Sequence, residues 1–291
     1  MQETKLHQLE ATDERQYMIR EGYEVYEKQG APLGAITFHY HSFYEVIYVL
    51  EGEYSSMLEN QTYHMKKGDM LLIDCNVMHK YHFVEKKHDS SRRIILWVTR
   101  EMLQGLSGEG MDLSACFRGP GSRAYHFPIY YEEMLRGYLL KLAMAELPDV
   151  PVPEAKQALD RGYLTLFFGY LNVLCLRREY GFSRKDMVSH PMVEQVSEYI
   201  DRHIRERITL EELAGHVHMS KYHFLRKFKE QTGVTAHNFV LNKRLIRAGE
   251  ELSRGRGVTE VWQEAGFTDY SSFLRNFKRT FGVSPGKYRS L

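Results

Sequence analysis

The chain has 291 residues, 43% hydrophobic and 26% charged, which excludes a disordered chain and allows one large or two ordinary domains. Its net charge of +1 conceals a division: residues 191–291 hold 17 Lys and Arg against 12 Asp and Glu, net +5, and the remainder holds 22 against 26, net −4. A basic C-terminal third behind an acidic body predicts a polyanionic partner at one end.

The opening, "MQETKLHQLEATDERQY", is polar and predicts a chain without a signal peptide. Up to about residue 110 the chain runs through aromatic and β-branched stretches broken by turn signals. Residues 44–54, 61–73 and 92–99 read as strands, with turns at Glu51-Gly52, Glu59-Asn60 and Lys67-Gly68-Asp69. Short strands at this spacing predict a sandwich or small barrel. "SGEGMD" and "RGPGSR" then mark loops.

Residues 129–147 carry a helical pattern that ends at "LPDVPVPE", whose three prolines forbid continuation. A second helix is predicted over 154–178. Its most apolar part, 164–176, is 13 residues, too short for a membrane span. It is apolar almost all round, so burial on more than one side is expected, against its own domain and a twin subunit. Interior burial in a monomer is the alternative. Cys75, Cys116 and Cys175 are odd in number and scattered, which predicts neither a disulfide framework nor a Cys metal site and fits a reducing cytoplasm.

From about residue 189 the chain is helical and repeats itself. "FLRKFKEQTGV" (224–234) returns as "FLRNFKRTFGV" (273–283), with seven of eleven letters the same. At about 100° per residue Phe224 and Phe228 share a face with Leu225 beside them, while Tyr222, Arg226 and Lys229 point away. In the second copy Phe273 and Phe277 face in, and Ser271, Arg275 and Lys278 face out. Upstream of each copy lies a short helix and a turn: Thr209-x-x-Glu212 is a capping box, Ser220 a new N-cap, and Gly266 marks the second turn. Each copy thus reads as a helix–turn–helix with a basic outer face, and the two turns read as matched. "HNFVLNKRLIRAGEEL" predicts a connecting helix of about fifteen residues, roughly 22 Å long.

The stretch "FTDYSSFLRNFKRTFGVSPGKYR" (267–289) resembles the C-terminal signature of AraC/XylS-type bacterial transcription regulators, and "LEELAGHVHMSKYHFLRKFKEQTG" (210–233) resembles their first helix–turn–helix. The resemblance implies that Tyr222, Arg226, Ser271 and Arg275 occupy DNA-contacting positions. With them the candidate interface takes in Ser220, Lys221, Lys229, Asp269, Ser272 and Lys278. Leu225 departs from the pattern where a polar residue is usual. Trp262 stands where a small residue is usual and Ala265 where a larger one is, so an exchange of volume within one helix face is expected.

In the first half, "FHYHSFYEVIYVLEG" follows Gly34 and sets out His39-x-His41-x3-Glu45-x6-Gly52. Alternate strand positions share a face, so His39, His41 and Glu45 are expected in one pocket, and the segment after Gly68-Asp69 brings His79. Three imidazoles and a carboxylate would suit a first-row transition metal. This resembles the two motifs of the cupin barrel. Sensor domains of AraC-type regulators resemble cupins and use the barrel for an organic effector, so the expected role of His39, His41, Glu45, His79 and Tyr48 is effector binding, with a divalent metal optional. Surrounding aromatics (Phe38, Tyr40, Phe43, Tyr44, Tyr48, Tyr54) could stack on a sugar ring, and are equally what any β-barrel core contains.

The expected protein is α+β: a cupin-like effector-sensing barrel over 1–110, a helical dimerisation segment over 111–188, and an all-α double helix–turn–helix over 189–291. It would be a cytoplasmic, ligand-responsive regulator, not an enzyme. Its partners would be double-stranded DNA, a small effector such as a sugar, a second copy of itself and, if it activates, RNA polymerase. The rival reading is a metal-dependent cupin oxygenase or isomerase with an accessory DNA-binding module.

Overall fold

Residues 44–49 alternate Tyr44, Val46 and Tyr48 with Glu45, Ile47 and Val49, and a strand sends two such sets to opposite faces. All six are buried, so this strand must be covered on both sides. The computed structural model of the chain describes residues 17–30, 38–82, 91–108, 110–118, 123–144 and 153–290. Most of the polar opening, Gly34, the centre of "RGPGSR", Glu109 of "SGEGMD" and most of the proline-rich turn lie outside them. The chain forms two units, Met1–Val188 and Ser189–Leu291.

In the first unit the strands are β1 (Tyr23–Gln29), β2 (Tyr44–Glu51), β3 (Glu53–Leu58), β4 (Gln61–Lys66), β5 (Asp69–Ile73), β6 (His79–His82), β7 (Arg92–Val98), β8 (Ala124–His126) and β9 (Met187–Ser189). They form one sheet in the order β1-β7-β2-β5-β8 and another in the order β6-β3-β4-β9. The expected turns are there: Gly52, Glu59 and Gly68 all have positive φ and separate β2 from β3, β3 from β4 and β4 from β5. Between the sheets, Ile47, Val49, Leu71, Ile73, Ile95 and Trp97 meet Tyr54, Leu58, Tyr63 and Met65.

The other face of the first sheet is covered by α1 (Arg100–Leu106), α2 (Ala115–Arg118), α3 (Ile129–Ala143) and α4 (Pro153–Leu176). Tyr44, Val46, Tyr48, Leu72, Ile94 and Leu96 share a core there with Leu135, Leu139, Leu164, Phe167, Phe168 and Leu171. The helical segment therefore completes the sheet's core. Tyr23 of β1 donates to Asp160 of α4, whose carboxylate Lys156 also grips at 2.5 and 2.6 Å.

The second unit is all helix: α5 (Pro191–Arg202), α6 (Leu210–His216), α7 (Lys221–Thr232), α8 (Ala236–Ser253), α9 (Val258–Glu264), α10 (Tyr270–Phe281) and α11 (Pro285–Arg289). The capping box forms: Glu212 N donates to Thr209 Oγ1 at 3.2 Å and Thr209 N to Glu212 Oε2 at 2.7 Å. The repeated Gly-Val explains itself at the helix ends. Gly233 and Gly282 close α7 and α10 at φ of 81° and 74°, a left-handed conformation in which a Cβ is penalised. The connector α8 has 18 residues, about 27 Å, extending the pattern by Ala236, which follows the N-cap Thr235, and by Ser253.

The two turns are not matched. Three residues (Val217, His218, Met219) separate α6 from the N-cap of α7, whereas four (Ala265, Gly266, Phe267, Thr268) separate α9 from that of α10. Both turns pass through the left-handed region, at His218 (55°) and Gly266 (84°). The extra residue follows that point, so equal spacing of the second helices did not reveal it.

Candidate functional site

Phe224 and Phe228 in α7, and Phe273 and Phe277 in α10, are fully buried, with ring centroids 5.5 Å apart in each pair. They anchor the two helices and decide which side faces out. Tyr222, Arg226 and Lys229, and equally Ser271, Arg275 and Lys278, are exposed. Among the described residues, none of these six side chains has a hydrogen-bond or ion-pair partner in the protein. A free guanidinium on a helix face can read the two acceptors of a guanine edge, and a free ammonium can meet a phosphate.

The other four candidates are engaged internally. Ser220 Oγ accepts from His223 N at 3.4 Å, and Asp269 accepts from Ser271 N and Ser272 N at 3.3 and 2.6 Å, so both are N-caps. Lys221 pairs with Glu211 of α6 at 2.6 Å. Ser272 Oγ accepts from Asn276 at 3.2 Å. Leu225 is half-buried. Trp262 and Ala265 do not exchange volume in one site: Ala265 is buried at the end of α9, and Trp262 lies half-buried, edge-on to Tyr270 with centroids 5.5 Å apart.

In the first unit His41, Glu45 and His79 converge, all buried, with donor atoms within 4.8 Å of one another. Strand parity is only part of the cause. β2 begins at Tyr44, and a bend at residues 42–43 carries His41 back so that its ring stacks on Phe43, 4.0 Å between centroids and 4° between planes. His41 Nε2 stands 3.1 Å and His79 Nε2 3.3 Å from Glu45 Oε2. The His79 nitrogen is nevertheless without a hydrogen bond, because its approach is off-line. Both Nδ1 atoms donate to backbone carbonyls at 2.8 Å, those of Phe43 and Val77. Glu45 Oε1 accepts from Tyr81 Oη at 2.7 Å and Trp97 Nε1 at 3.1 Å.

Burial, the largest influence, would raise the Glu45 carboxyl, but its contacts with His41 and His79 hold it well below the usual range. Burial pushes His41 down, against the pull of Glu45. The two directions oppose each other, since an ionised carboxylate favours an imidazolium. We take the carboxylate as ionised, held by Tyr81 and Trp97 as well, and His41 as neutral.

One expected member lies beside the converging donors and another on a different face. His39 bridges His79 through the backbone and its ring lies 4.1 Å from that of His79, yet it is outside the converging group. Tyr48 is on the opposite face of the first sheet, where its hydroxyl donates to Glu132 of α3, because even and odd positions of β2 face opposite ways. Phe43 and Tyr54 lie between the sheets, whereas Tyr44 lies with Tyr48 on the helix side.

Residues 21–127 match the family model described as an AraC-like ligand-binding domain, and residues 213–290 match a helix-turn-helix domain. The probable transcriptional regulator LumQ of Photobacterium leiognathi is 24% identical over 254 residues, 87% of this chain and 92% of that one. The HTH-type transcriptional regulator YbfI of Bacillus subtilis is 25% identical over 237 residues, 80% and 79%. Among solved structures, ToxT of Vibrio cholerae covers 93% of this chain and 98% of its own, at 12% identity and a TM-score of 0.38. The chain belongs to the AraC-type transcription regulators.

As an AraC-type regulator it is a ligand-responsive, DNA-binding protein. Among the described residues no helix is long and apolar enough to cross a membrane. Sequence reasoning overlooked two residues of this regulator's buried cluster. Tyr81 could have been found, since it follows His79 by two in one strand. Trp97 could not, because it meets Glu45 through the β2–β7 register.

Proposed function

We propose that this AraC-type regulator reads one face of DNA through α7 and α10 in successive major grooves, about 34 Å apart. The observation that carries this is the pair of unpartnered outward sets, Tyr222-Arg226-Lys229 and Ser271-Arg275-Lys278, on Phe-anchored helices. It acts by binding and not by turnover. An effector in the sensor unit favours one arrangement of a dimer and so one spacing of the heads, a population shift. The effector on this reading is a small metabolite such as a sugar, met by the aromatic side chains around Glu45. The protein would work in the cytoplasm, and as an activator would also meet RNA polymerase.

The test is salt dependence. Operator affinity of the full chain should fall steeply with salt, and Lys229→Ala or Lys278→Ala should weaken all duplexes alike while flattening the log–log slope by about 1. An unchanged slope in both variants would remove the lysines from the interface.

The dimer has its own support. Leu159, Leu166, Tyr170 and Val173 of α4 are 40%, 45%, 43% and 49% exposed, and at about 100° per residue they lie within roughly 60° of one another. The buried face, Leu164, Phe167, Phe168 and Leu171, is on the other side of the helix. An apolar stripe at heptad spacing suits a second copy of the same helix. The chain should sediment as a dimer at micromolar concentration, and Leu166→Glu with Val173→Glu should give a folded monomer with weakened operator binding. A monomeric parent, or a variant that stays dimeric, would count against this.

A further inference from the structure

We propose that His41, His79 and Glu45 bind one divalent transition-metal ion between the two sheets. Carbonyl oxygens only accept hydrogen bonds, so the 2.8 Å contacts to Phe43 O and Val77 O require a proton on each Nδ1. In its neutral form each ring then offers its Nε2 lone pair. Both Nε2 atoms stand beside the same carboxylate oxygen, at 3.1 and 3.3 Å, and that of His79 is fully buried without a hydrogen bond. Nitrogen lone pairs crowded beside an anion in a dry interior are unfavourable. A cation between them reverses the sign of every contact.

The spacing suits that ion. Donors held about 2.0–2.2 Å from a common metal in neighbouring positions stand roughly 3.0–3.4 Å apart, and two of the three edges here have that length. Two imidazoles and a carboxylate select a first-row metal over calcium or magnesium. The surroundings are those of ligands held in place: both Nδ1 protons are on backbone carbonyls, and Tyr81 and Trp97 occupy Glu45 Oε1, leaving Oε2 to bind. Three protein donors leave positions for water or for an oxygen of the effector. The inference goes beyond the regulator reading and uses nothing from α4 or the DNA heads.

The full chain, purified without a His-tag and stripped with chelator, is titrated with Co(II), followed by its visible absorption and by equilibrium dialysis with elemental analysis. One ion per chain is expected, with His41→Ala and His79→Ala each weakening binding at least about tenfold and His39→Ala leaving it intact. Circular dichroism reports whether each variant folds. Should the alanine variants unfold, Glu45→Gln, which still accepts from Tyr81 and Trp97, is expected to fold and to lose the ion. A folded parent that takes up no ion at roughly 50 µM free metal overturns the proposal. So does uptake that survives loss of His79, or that disappears with His39. A chain that binds operator but no metal leaves the regulator reading standing, and one that binds metal but no DNA does the reverse.

Discussion

Arg226→Ala and Arg275→Ala are each expected to cost about 1–3 kcal/mol of operator affinity and to relax base preference at one position of the site. The two side chains project from the middle of α7 and α10, between an exposed residue one turn before and a lysine nearly one turn after. Both are exposed and, among the described residues, without a partner, so neither substitution removes a contact seen to hold the fold. Stability should accordingly stay within about 0.5 kcal/mol of the parent. The pair Phe224–Phe228, and its counterpart Phe273–Phe277, remains in place to orient each helix. Selected-site sequencing with the parent and both variants is the measurement. Each variant should lose preference in a different part of the operator if the heads enter different grooves as proposed. Unchanged preference in both would show that the arginines do not read bases. Loss of preference everywhere would show that one head positions the other.

Gly266→Ala is expected to destabilise the second unit by about 3 kcal/mol or more, combining left-handed strain with overpacking. Gly266 has φ +84°, and a Cβ there would stand 1.9 Å from the carbonyl oxygen of Ile204 and 2.9 Å from Arg244 Nε. The first neighbour is backbone in the turn after α5, and it cannot swing aside. Arg244 could move, but its guanidinium donates to Glu206 O at 2.6 Å, which ties it to the same segment. The turn of the second head is thus packed against the backbone that follows α5. Gly282→Ala is the control. Its φ of +74° carries the same kind of strain, but a Cβ there would meet nothing within 4 Å, so about 1–2 kcal/mol is expected. Urea unfolding of the full chain, followed through the second-unit transition, separates the two. Equal losses would mean that the Ile204 contact contributes nothing.

The doubled Phe-Leu-Arg phrase, the capping box at Thr209 and the glycines after α7 and α10 together determine two anchored helices and their exposed faces. They do so because helix period and end chemistry are local, and local rules can be read from a string. The same locality made the turns of the first unit legible at Gly52, Glu59 and Gly68. What needed distant parts of the chain was not legible. Trp97 reaches Glu45 through sheet register across 52 residues, and Tyr48 turns to α3 because a helix layer covers that side of β2. His39 packs its ring on that of His79 but stays outside the converging donors, which spacing alone does not reveal. Lys221 and Asp269, outward or polar by position, are claimed by Glu211 and by the first turn of α10. Sequence spacing determined which side chains could share a face. Only the tertiary structure decided which of them are already partnered, since pairing depends on what packs opposite.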